Sequence, residues 1–269
     1  CIRAVMSRVV AEIPVVEPFP WLALLDYFRY RLIPGAELIE DERFVRRIGK
    51  AQIAVRFDPQ RARLIVTADG RVPTRDAAER VTRLFAADHD GTQAASHLKK
   101  DAMLRRRIAA VPGMRPLGAW SAFELCVRTV IGQQVTVAAA GTLMRRLVER
   151  CGEVVPENVL AADLENMGMP GRRVATIRTL AAAVLERRVQ FDLPWPAVDA
   201  ALATLPGFGP WTRTYLAIRL GRDPDAFPAT DLGLIRAAGA ASAVELSKRA
   251  ERWRPWRAHA ATYLWAVPA

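Results

Sequence analysis

The sequence predicts an α+β N-terminal domain, a small antiparallel sheet with helices, followed by an all-α remainder. Three observations carry this prediction. Two β-branched runs, "AQIAVRF" (51–57) and "ARLIVTA" (62–68), are joined by the turn-forming "DPQR" and favour a β-hairpin. From about Ser96 onward no segment has convincing strand character, and helical apolar spacing recurs instead. Among these helical segments lies a glycine-rich turn, "LPGFGPWT" (205–212), which is typical of a helix–hairpin–helix unit.

Two helical patterns accompany the hairpin in the N-terminal region. The segment "WLALLDYFRYRLI" (21–33) has helical apolar spacing and stops at Pro34-Gly35. The segment "TRDAAERVTRLFAAD" (74–88) starts with a capping residue and has an amphipathic pattern. Helices and strands therefore mix here, as an α+β domain requires.

The remainder is a succession of helical segments. Besides the pair that flanks the glycine-rich turn, the predicted helices are 98–111, 119–133, 135–152, 171–187 and 255–267. Short stretches rich in proline and glycine, such as "VPGMRPLG" and "DLPWP", separate them. No internal repeat of fixed period and no low-complexity tract interrupts this pattern.

Composition narrows the class of protein. A chain of 269 residues is long enough for two domains or three small ones, and its hydrophobic content of 51% argues against disorder. The formal charge of +11 and the pI near 10.5 favour a polyanionic partner, nucleic acid above all. The alternative is a basic protein with no such partner.

Cysteine and histidine usage gives no sign of a metal centre. The three cysteines contain no CxxC pair, which argues against a disulfide framework and an iron–sulfur cluster; they are Cys1, Cys126 and Cys151. The three histidines are scattered along the sequence; they are His89, His97 and His259. The sequence has neither a signal-peptide pattern nor an apolar run of about 18 residues, so we expect a reducing cytoplasm and no membrane. Because the chain starts with Cys1, a fragment of a longer fusion is also an expectation.

The glycine-rich turn is suited to binding a phosphate. Gly207 and Gly209 can adopt positive φ and leave backbone N–H groups bare. The second helix then begins at Pro210, and its free N–H groups and positive dipole end face whatever lies over the hairpin. Carbonyl groups of the hairpin could also hold a monovalent cation. An ordinary turn between two packed helices stays an alternative, since such turns often contain glycine.

Polar and aromatic residues near the turn suggest more than a phosphate contact. Trp211 and Tyr215 are four residues apart and therefore share one face of the second helix. Further along, "DAFPATDLGLIRA" places Asp231 after a proline-containing loop and at the start of a helix. Aspartate is a preferred N-cap, so Asp231 has a structural explanation as well as a chemical one.

Several motifs together resemble one family. The stretches "LPGFGPWTRTYLAIR", "FPATDLGL" and "WRPWRAHAATYLW", with "AFELCVRTVIGQQVTVAAAGTLMRRL" (122–147) and "NMGMPGRRVATIRTLA" (166–181), resemble the helix–hairpin–helix DNA glycosylases of the AlkA, or 3-methyladenine DNA glycosylase II, type. The resemblance covers most of the chain. It implies an α+β domain at 1–97 and two all-α domains, 98–121 with 224–269 and 122–223, that form a cleft.

The resemblance also implies a catalytic site. Asp231 corresponds to the family's catalytic carboxylate, while Asp223 and Asp225 are interpreted as solvated loop residues. Cleaving an N-glycosidic bond builds positive charge on the deoxyribose, which a carboxylate near C1′ stabilises. The target base must leave the duplex stack first. The expected walls of its pocket are Trp211, Tyr215 and Trp265, while the other tryptophans are assigned to packing or the surface: Trp120, Trp195, Trp253 and Trp256.

DNA contacts follow from the same resemblance. Gln134, after the "VIGQ" helix, corresponds to the wedge that fills the space of the flipped base, and Gln133 supports it. The hairpin residues expected to bind DNA are Gly207, Gly209 and Thr212. The main-chain carbonyls expected at a monovalent cation are those of Ala203, Leu205 and Gly207; no other cofactor is expected.

The expected reaction is hydrolysis without strand cleavage. Lyase members of the superfamily carry a lysine before the threonine of the hairpin helix, where this chain has Trp211, and 205–231 contains no lysine. The resemblance thus implies a monofunctional, monomeric glycosylase of bacterial type, cytoplasmic and nucleoid-associated, that acts on duplex DNA with alkylated purines. Two alternatives stay open: a DNA-binding module without catalysis, and a glycosylase of the same fold for oxidised or mismatched bases.

Overall fold

The computed structural model describes residues 8–266 and begins with an antiparallel sheet. The strands are β1 (Arg8–Pro14), β2 (Glu37–Glu40), β3 (Arg43–Ile48), β4 (Ala51–Asp58) and β5 (Arg63–Asp69). Their order in the sheet is β1-β5-β4-β3-β2. The predicted hairpin is confirmed as β4 and β5, with Val55 opposite Val66.

Three of these strands are absent from the sequence prediction. Of the seven residues of β1, Ile13 alone is fully buried, so the strand shows little apolar alternation. Strand β2 is only four residues long and carries a glutamate at each end. Strand β3 contains Arg46, which is buried because it pairs with Glu37 and Glu124. A charged residue at a buried position interrupts the apolar alternation by which a strand is recognised in a sequence.

The rest of the described chain is helical, as expected. The helices are α1 (Trp21–Arg29), α2 (Thr74–Phe85), α3 (Thr92–Leu98), α4 (Ala102–Ala110), α5 (Ala122–Gly132), α6 (Val137–Cys151), α7 (Pro156–Ala161), α8 (Gly171–Leu185), α9 (Trp195–Ala203), α10 (Pro210–Arg219), α11 (Leu232–Ala237), α12 (Ala243–Ala250) and α13 (Arg257–Ala266). The fold class is thereby confirmed: a small antiparallel sheet with helices, and then helices alone.

Several predicted helix bounds need correction. The segment 98–111 starts on the last residue of α3, and α4 begins only at Ala102. The pattern at 21–33 predicts a longer helix than α1, which stops at Arg29 because the chain then turns: the backbone N–H of Ile33 donates to Glu37 Oε2 at 2.9 Å. The pattern at 74–88 likewise overruns α2, which ends where Ala86 adopts the left-handed conformation. Helices α3, α7 and α12 were not predicted, since each has only six to eight residues.

Two hydrophobic cores lie on either side of the functional site. One joins the sheet, α1, α2 and α4 to α11, α12 and α13. The other is built mainly from α5 to α10. The N-terminal sheet thus shares its core with the C-terminal helices, while the exact domain boundaries stay a prediction. Within residues 8–266, no helix has the length and apolar character needed to cross a bilayer.

Candidate active site

The hairpin between α9 and α10 explains the first glycine of "LPGFGPWT". Gly207 has φ of +83°, and a Cβ there would lie 2.9 Å from Thr176 Cγ2. Both the backbone conformation and the close approach therefore require glycine. Gly209 differs from expectation, because its φ is −66° and nothing lies within 4 Å of a Cβ at this position. Positive φ is thus needed at Gly207 only.

The N-terminus of α10 is open to a ligand. Gly209 is the N-cap and makes no side-chain capping bond, and Pro210 occupies the first turn. The free backbone N–H groups of this first turn lie at the positive end of the helix dipole. This is the arrangement that binds phosphate oxygens elsewhere.

Gln133 ties the hairpin to the loop after α5. Its Nε2 donates to the Gly207 carbonyl at 2.8 Å and to Thr212 Oγ1 at 3.1 Å. These bonds join Gln133 to the hairpin, and its support of Gln134 stays a prediction. The side chain of Thr212 is buried against Gln133, so only the backbone of Thr212 can contact DNA directly.

A monovalent cation at the three hairpin carbonyls stays a prediction. The Gly207 carbonyl already accepts from Gln133, and that of Leu205 accepts from the Phe208 N–H at 3.4 Å. A carbonyl oxygen has two lone pairs, so each of these can still coordinate. Neutral carbonyl ligands such as these and that of Ala203 suit a weakly charged ion.

Asp231 is held by three N–H donors. It is the N-cap of α11, and its Oδ1 accepts from the Leu234 backbone N–H at 2.9 Å. The Trp265 indole donates to Oδ1 and the Trp211 indole donates to Oδ2, each at 3.1 Å. The N-cap explanation of Asp231 is therefore correct, and it is compatible with a chemical role because the carboxylate is fixed in place.

The three predicted aromatic residues form one cluster beside this carboxylate. Trp211 and Tyr215 stack with ring centroids 5.4 Å apart and planes 6° from parallel. Trp265 meets Tyr215 edge-on at 5.7 Å. Arg219 donates to the Tyr215 hydroxyl at 2.8 Å. Burial alone would raise the pKa of Tyr215, but the neighbouring Arg219 and Arg31 lower it.

Gly233 is a site residue that sequence reasoning missed. A Cβ at this position would lie 3.0 Å from Asp231 Oδ1 and 3.8 Å from the Trp265 ring. Glycine thus lets the carboxylate and the indole approach each other. The signal was present in the sequence, since this glycine lies two residues after Asp231 in "TDLGL".

These residues line a cavity of about 950 Å³, within the size range of ligand pockets. Gln134 also lines the cavity; it is exposed and has φ of +57°. Leu232 is also exposed at the mouth. The N-terminal domain contributes a wall that the sequence did not predict; its residues there are Phe28, Tyr30, Arg31, Ile33, Glu37 and Leu84.

The other acidic candidates lie outside this cavity. Asp225 was interpreted as solvated, but it forms ion pairs with Arg254 and Arg257 and its side chain is mostly buried. Asp223 accepts the backbone N–H of Asp225 at 2.8 Å and stabilises the same loop. The assignment of Trp253 to packing is confirmed, because its side chain is buried and donates to Asp101.

Histidine placement also departs from expectation. His89 and His259 are scattered in sequence but adjacent in space, with their Nε2 atoms 2.7 Å apart. Between residues 8 and 266 no group of three potential metal ligands accompanies them. Cys126 and Cys151 are free thiols, and burial raises the pKa of Cys151 to about 11. Cys1 lies outside the described residues.

Comparison with known proteins assigns the chain to a family. Residues 10–121 match the AlkA N-terminal domain, and residues 127–255 match the HhH-GPD superfamily base excision DNA repair protein. A probable bifunctional transcriptional activator/DNA repair enzyme AlkA from Mycobacterium tuberculosis is 31% identical over 95% of this chain, which spans 56% of that relative. DNA-3-methyladenine glycosylase 2 from Escherichia coli is 29% identical, with 92% of this chain and 94% of the relative covered.

A solved structure supports the same fold. The 3-methyladenine DNA-glycosylase from Archaeoglobus fulgidus superposes with a TM-score of 0.81 at 20% identity, covering 95% of this chain and 97% of that one. The chain also spans only about half the length of the first curated relatives that it matches. The two family matches together account for most of the sequence, and the chain belongs to the HhH-GPD superfamily of base excision DNA repair proteins, with an AlkA N-terminal domain.

Proposed function

We propose that the chain is a monofunctional DNA glycosylase that excises alkylated purines, of the 3-methyladenine and 7-methylguanine type, from duplex DNA. The observation that carries this proposal is the convergence of Trp211 and Trp265 on the two oxygens of Asp231 at the mouth of a cavity. A phosphate clamp without catalysis needs neither this carboxylate nor these indoles. The name of the E. coli relative supports the same activity, and the name of the M. tuberculosis relative supports a role in DNA repair.

The duplex would be held at the hairpin. The N-terminal N–H groups of α10 bind a phosphate near the lesion. A monovalent cation on the carbonyls of Ala203, Leu205 and Gly207 would add positive charge beside that phosphate. The excess of basic residues supplies the sequence-independent attraction to DNA.

Base flipping would then bring the lesion to Asp231. Gln134, which is exposed at the cavity, would fill the space that the base leaves. The flipped base lies against Trp211, Tyr215 and Trp265, and a cationic alkylpurine gains cation–π attraction from these rings. Because the alkylated base is already a good leaving group, strong acid assistance at the base is not required.

Asp231 would act on the sugar. As the bond from C1′ to the base nitrogen breaks, its electron pair leaves with the base and positive charge develops on the sugar ring. The Asp231 carboxylate stabilises that charge and accepts the proton of the attacking water. The two indole N–H groups keep its oxygens aimed at this position. The products are a free base and an abasic site.

Strand cleavage is not part of the proposed reaction. The position used by lyase relatives for a Schiff-base lysine is Trp211, whose indole donates to Asp231. We propose further that the enzyme works as a monomer in a bacterial-type cytoplasm, associated with the nucleoid, and initiates base excision repair.

The reaction products test this proposal. Methylated duplex DNA is incubated with the protein, free bases are quantified by chromatography, and strand breaks are scored with and without alkali. Free methylpurine with breaks only after alkali is the expected result. Breaks without alkali would contradict the monofunctional assignment, and DNA binding with no base released would favour the clamp.

A further inference from the structure

The proposed base cavity ends against the N-terminal domain. Lining residues at the mouth are exposed, such as Leu232 at 66%. Those at the other end are buried, such as Glu124 at 4% and Arg219 at 3%. The inner end is therefore formed by α5 and α10, and the segment that follows α1 adds the half-buried Arg31 beside it.

Three guanidinium groups line the cavity at or beside this inner end: the buried Arg219 and the half-buried Arg31 and Arg128. Within residues 8–266 none of them forms an ion pair with a carboxylate. The two nearby carboxylates, Glu37 and Glu124, are both engaged by Arg46. The inner end is consequently positive and rich in N–H donors.

The three arginines differ in how far their donors are used. Arg219 is the most engaged, with three hydrogen bonds to the carbonyls of Leu117 and Gly118 and to the Tyr215 hydroxyl. Arg31 donates to the Tyr27 carbonyl at 2.7 Å and lies on the Tyr27 ring.

Arg128 has the most unused donor capacity. It makes one long bond, 3.2 Å to the Tyr30 carbonyl, and its buried Nε finds no partner among the described residues. A guanidinium carries five N–H donors and no acceptor, so the terminal N–H groups of this half-buried side chain that are still free favour a ligand with an acceptor atom.

The chemistry of the reaction orients the base in this cavity. The glycosidic nitrogen must face Asp231 at the mouth, so the opposite edge of the purine points inward. That edge carries the substituent at C6, which is an oxygen acceptor in 7-methylguanine and an amino donor in 3-methyladenine. Arginine favours the first and disfavours the second, because two donors cannot bond to each other.

We propose that Arg128, assisted by Arg31, is a specificity-determining residue that favours alkylpurines with an oxygen at C6 over those with an amino group there. This inference rests on the proposed function and names the substrate class of the same site. Both bases are cationic, so the positive charge of the cavity weakens the binding of both equally. The difference in specificity then comes from the substituent at C6.

Competition within one sample tests the proposal. Methylated duplex DNA contains both lesions, and the ratio of the initial rates at which 7-methylguanine and 3-methyladenine appear gives relative specificity directly. Arg128→Met is expected to lower this ratio about tenfold or more, the effect of one charge-assisted hydrogen bond. Arg31→Met is expected to lower it about threefold, since Arg31 is partly engaged elsewhere.

Arg29→Met serves as the matched control. Arg29 lies on α1 close to Arg31 but pairs with Asp26 at the surface, so the ratio should equal that of the wild type. If Arg128→Met does not fold, the ratio of the two release rates is compared between Arg31→Met and the wild type instead.

An unchanged ratio, or equal losses for both bases, would overturn the role of Arg128 while leaving a glycosylase in place. A wild-type protein that releases neither base would instead contradict the proposed function, and this inference with it.

Discussion

The indole N–H of Trp265 donates to Asp231 Oδ1 across 3.1 Å, although the two residues lie on different helices. The same oxygen caps α11 through the Leu234 N–H. Trp265 therefore does two things at once: its ring closes the aromatic cluster, and its N–H fixes the carboxylate. The proposed mechanism depends on both contributions of Trp265, and a substitution that removes the N–H but keeps a ring separates them.

Trp265→Phe tests the orienting role. Phenylalanine keeps an aromatic wall but removes the N–H, and loss of a hydrogen bond to a charged group costs about 1.5–3 kcal/mol. We expect kcat to fall about tenfold or more while KM changes little, measured by single- and multiple-turnover base release. Trp256→Phe is the control, because Trp256 lies edge-on against His259 instead. A fall in binding alone would assign Trp265 to stacking only.

The two hairpin glycines are expected to respond differently to alanine. Gly207→Ala forces a Cβ into Thr176 at positive φ, so we expect a loss of about 1–3 kcal/mol in the free energy of unfolding and weaker DNA binding. Gly209→Ala enters open space at ordinary φ and loses only the N-cap preference for glycine, so it should cost less than Gly207→Ala, about 0.5 kcal/mol. Urea unfolding and binding to an abasic duplex measure both. Equal losses in the two variants would refute this account of the turn.

Gln134→Ala tests the wedge. Without a side chain to occupy the gap, the flipped state of a paired lesion loses stability, so base release from a duplex should fall about tenfold. Release from a lesion placed opposite an abasic site should hardly change, since no pairing has to be broken. Thr136→Ala, a cap of the adjacent α6, is a suitable control for loop damage. A similar fall on both substrates would mean that Gln134 does not act in flipping.

Acid is expected to destabilise the fold through His259. Burial, with the neighbouring His89 and Arg115, lowers the pKa of His259 to about 3. The unfolded chain, whose histidine pKa is near 6.5, thus binds the proton more readily, so stability falls as pH drops below that value. Between pH 7 and 5.5 the expected loss is about 1 kcal/mol in the free energy of unfolding. His259→Leu should remove this loss and His97→Gln should keep it, as urea titrations at both pH values would show.

Short-range patterns predicted a large part of this molecule. The β4–β5 hairpin, the starts of α1, α2 and α8, and Asp231 at a helix N-terminus all depend on neighbouring residues, which the sequence displays directly. The motifs around Trp211 and Trp265 also located the aromatic cluster correctly, and the indole bonds to Asp231 complete it.

Long-range pairings were not predictable in the same way. Strand β1 pairs with β5 across the whole N-terminal domain, and His89 meets His259 across 170 positions. The inner cavity wall was missed for the same reason, because Arg31 and Glu37 belong to a region without a recognisable motif. Such contacts arise from tertiary packing between distant segments, and no periodic spacing of residues within either segment indicates them.

The central claim is that Asp231 carries out the chemistry rather than only capping α11. The most direct test compares wild type and Asp231→Asn in single-turnover release of 7-methylguanine from duplex DNA. Asparagine is also a good N-cap, so helix and fold should persist, which binding to an abasic duplex verifies. The account predicts that release falls by a factor of about a hundred or more while binding is kept. Release by Asp231→Asn at the wild-type rate would contradict it.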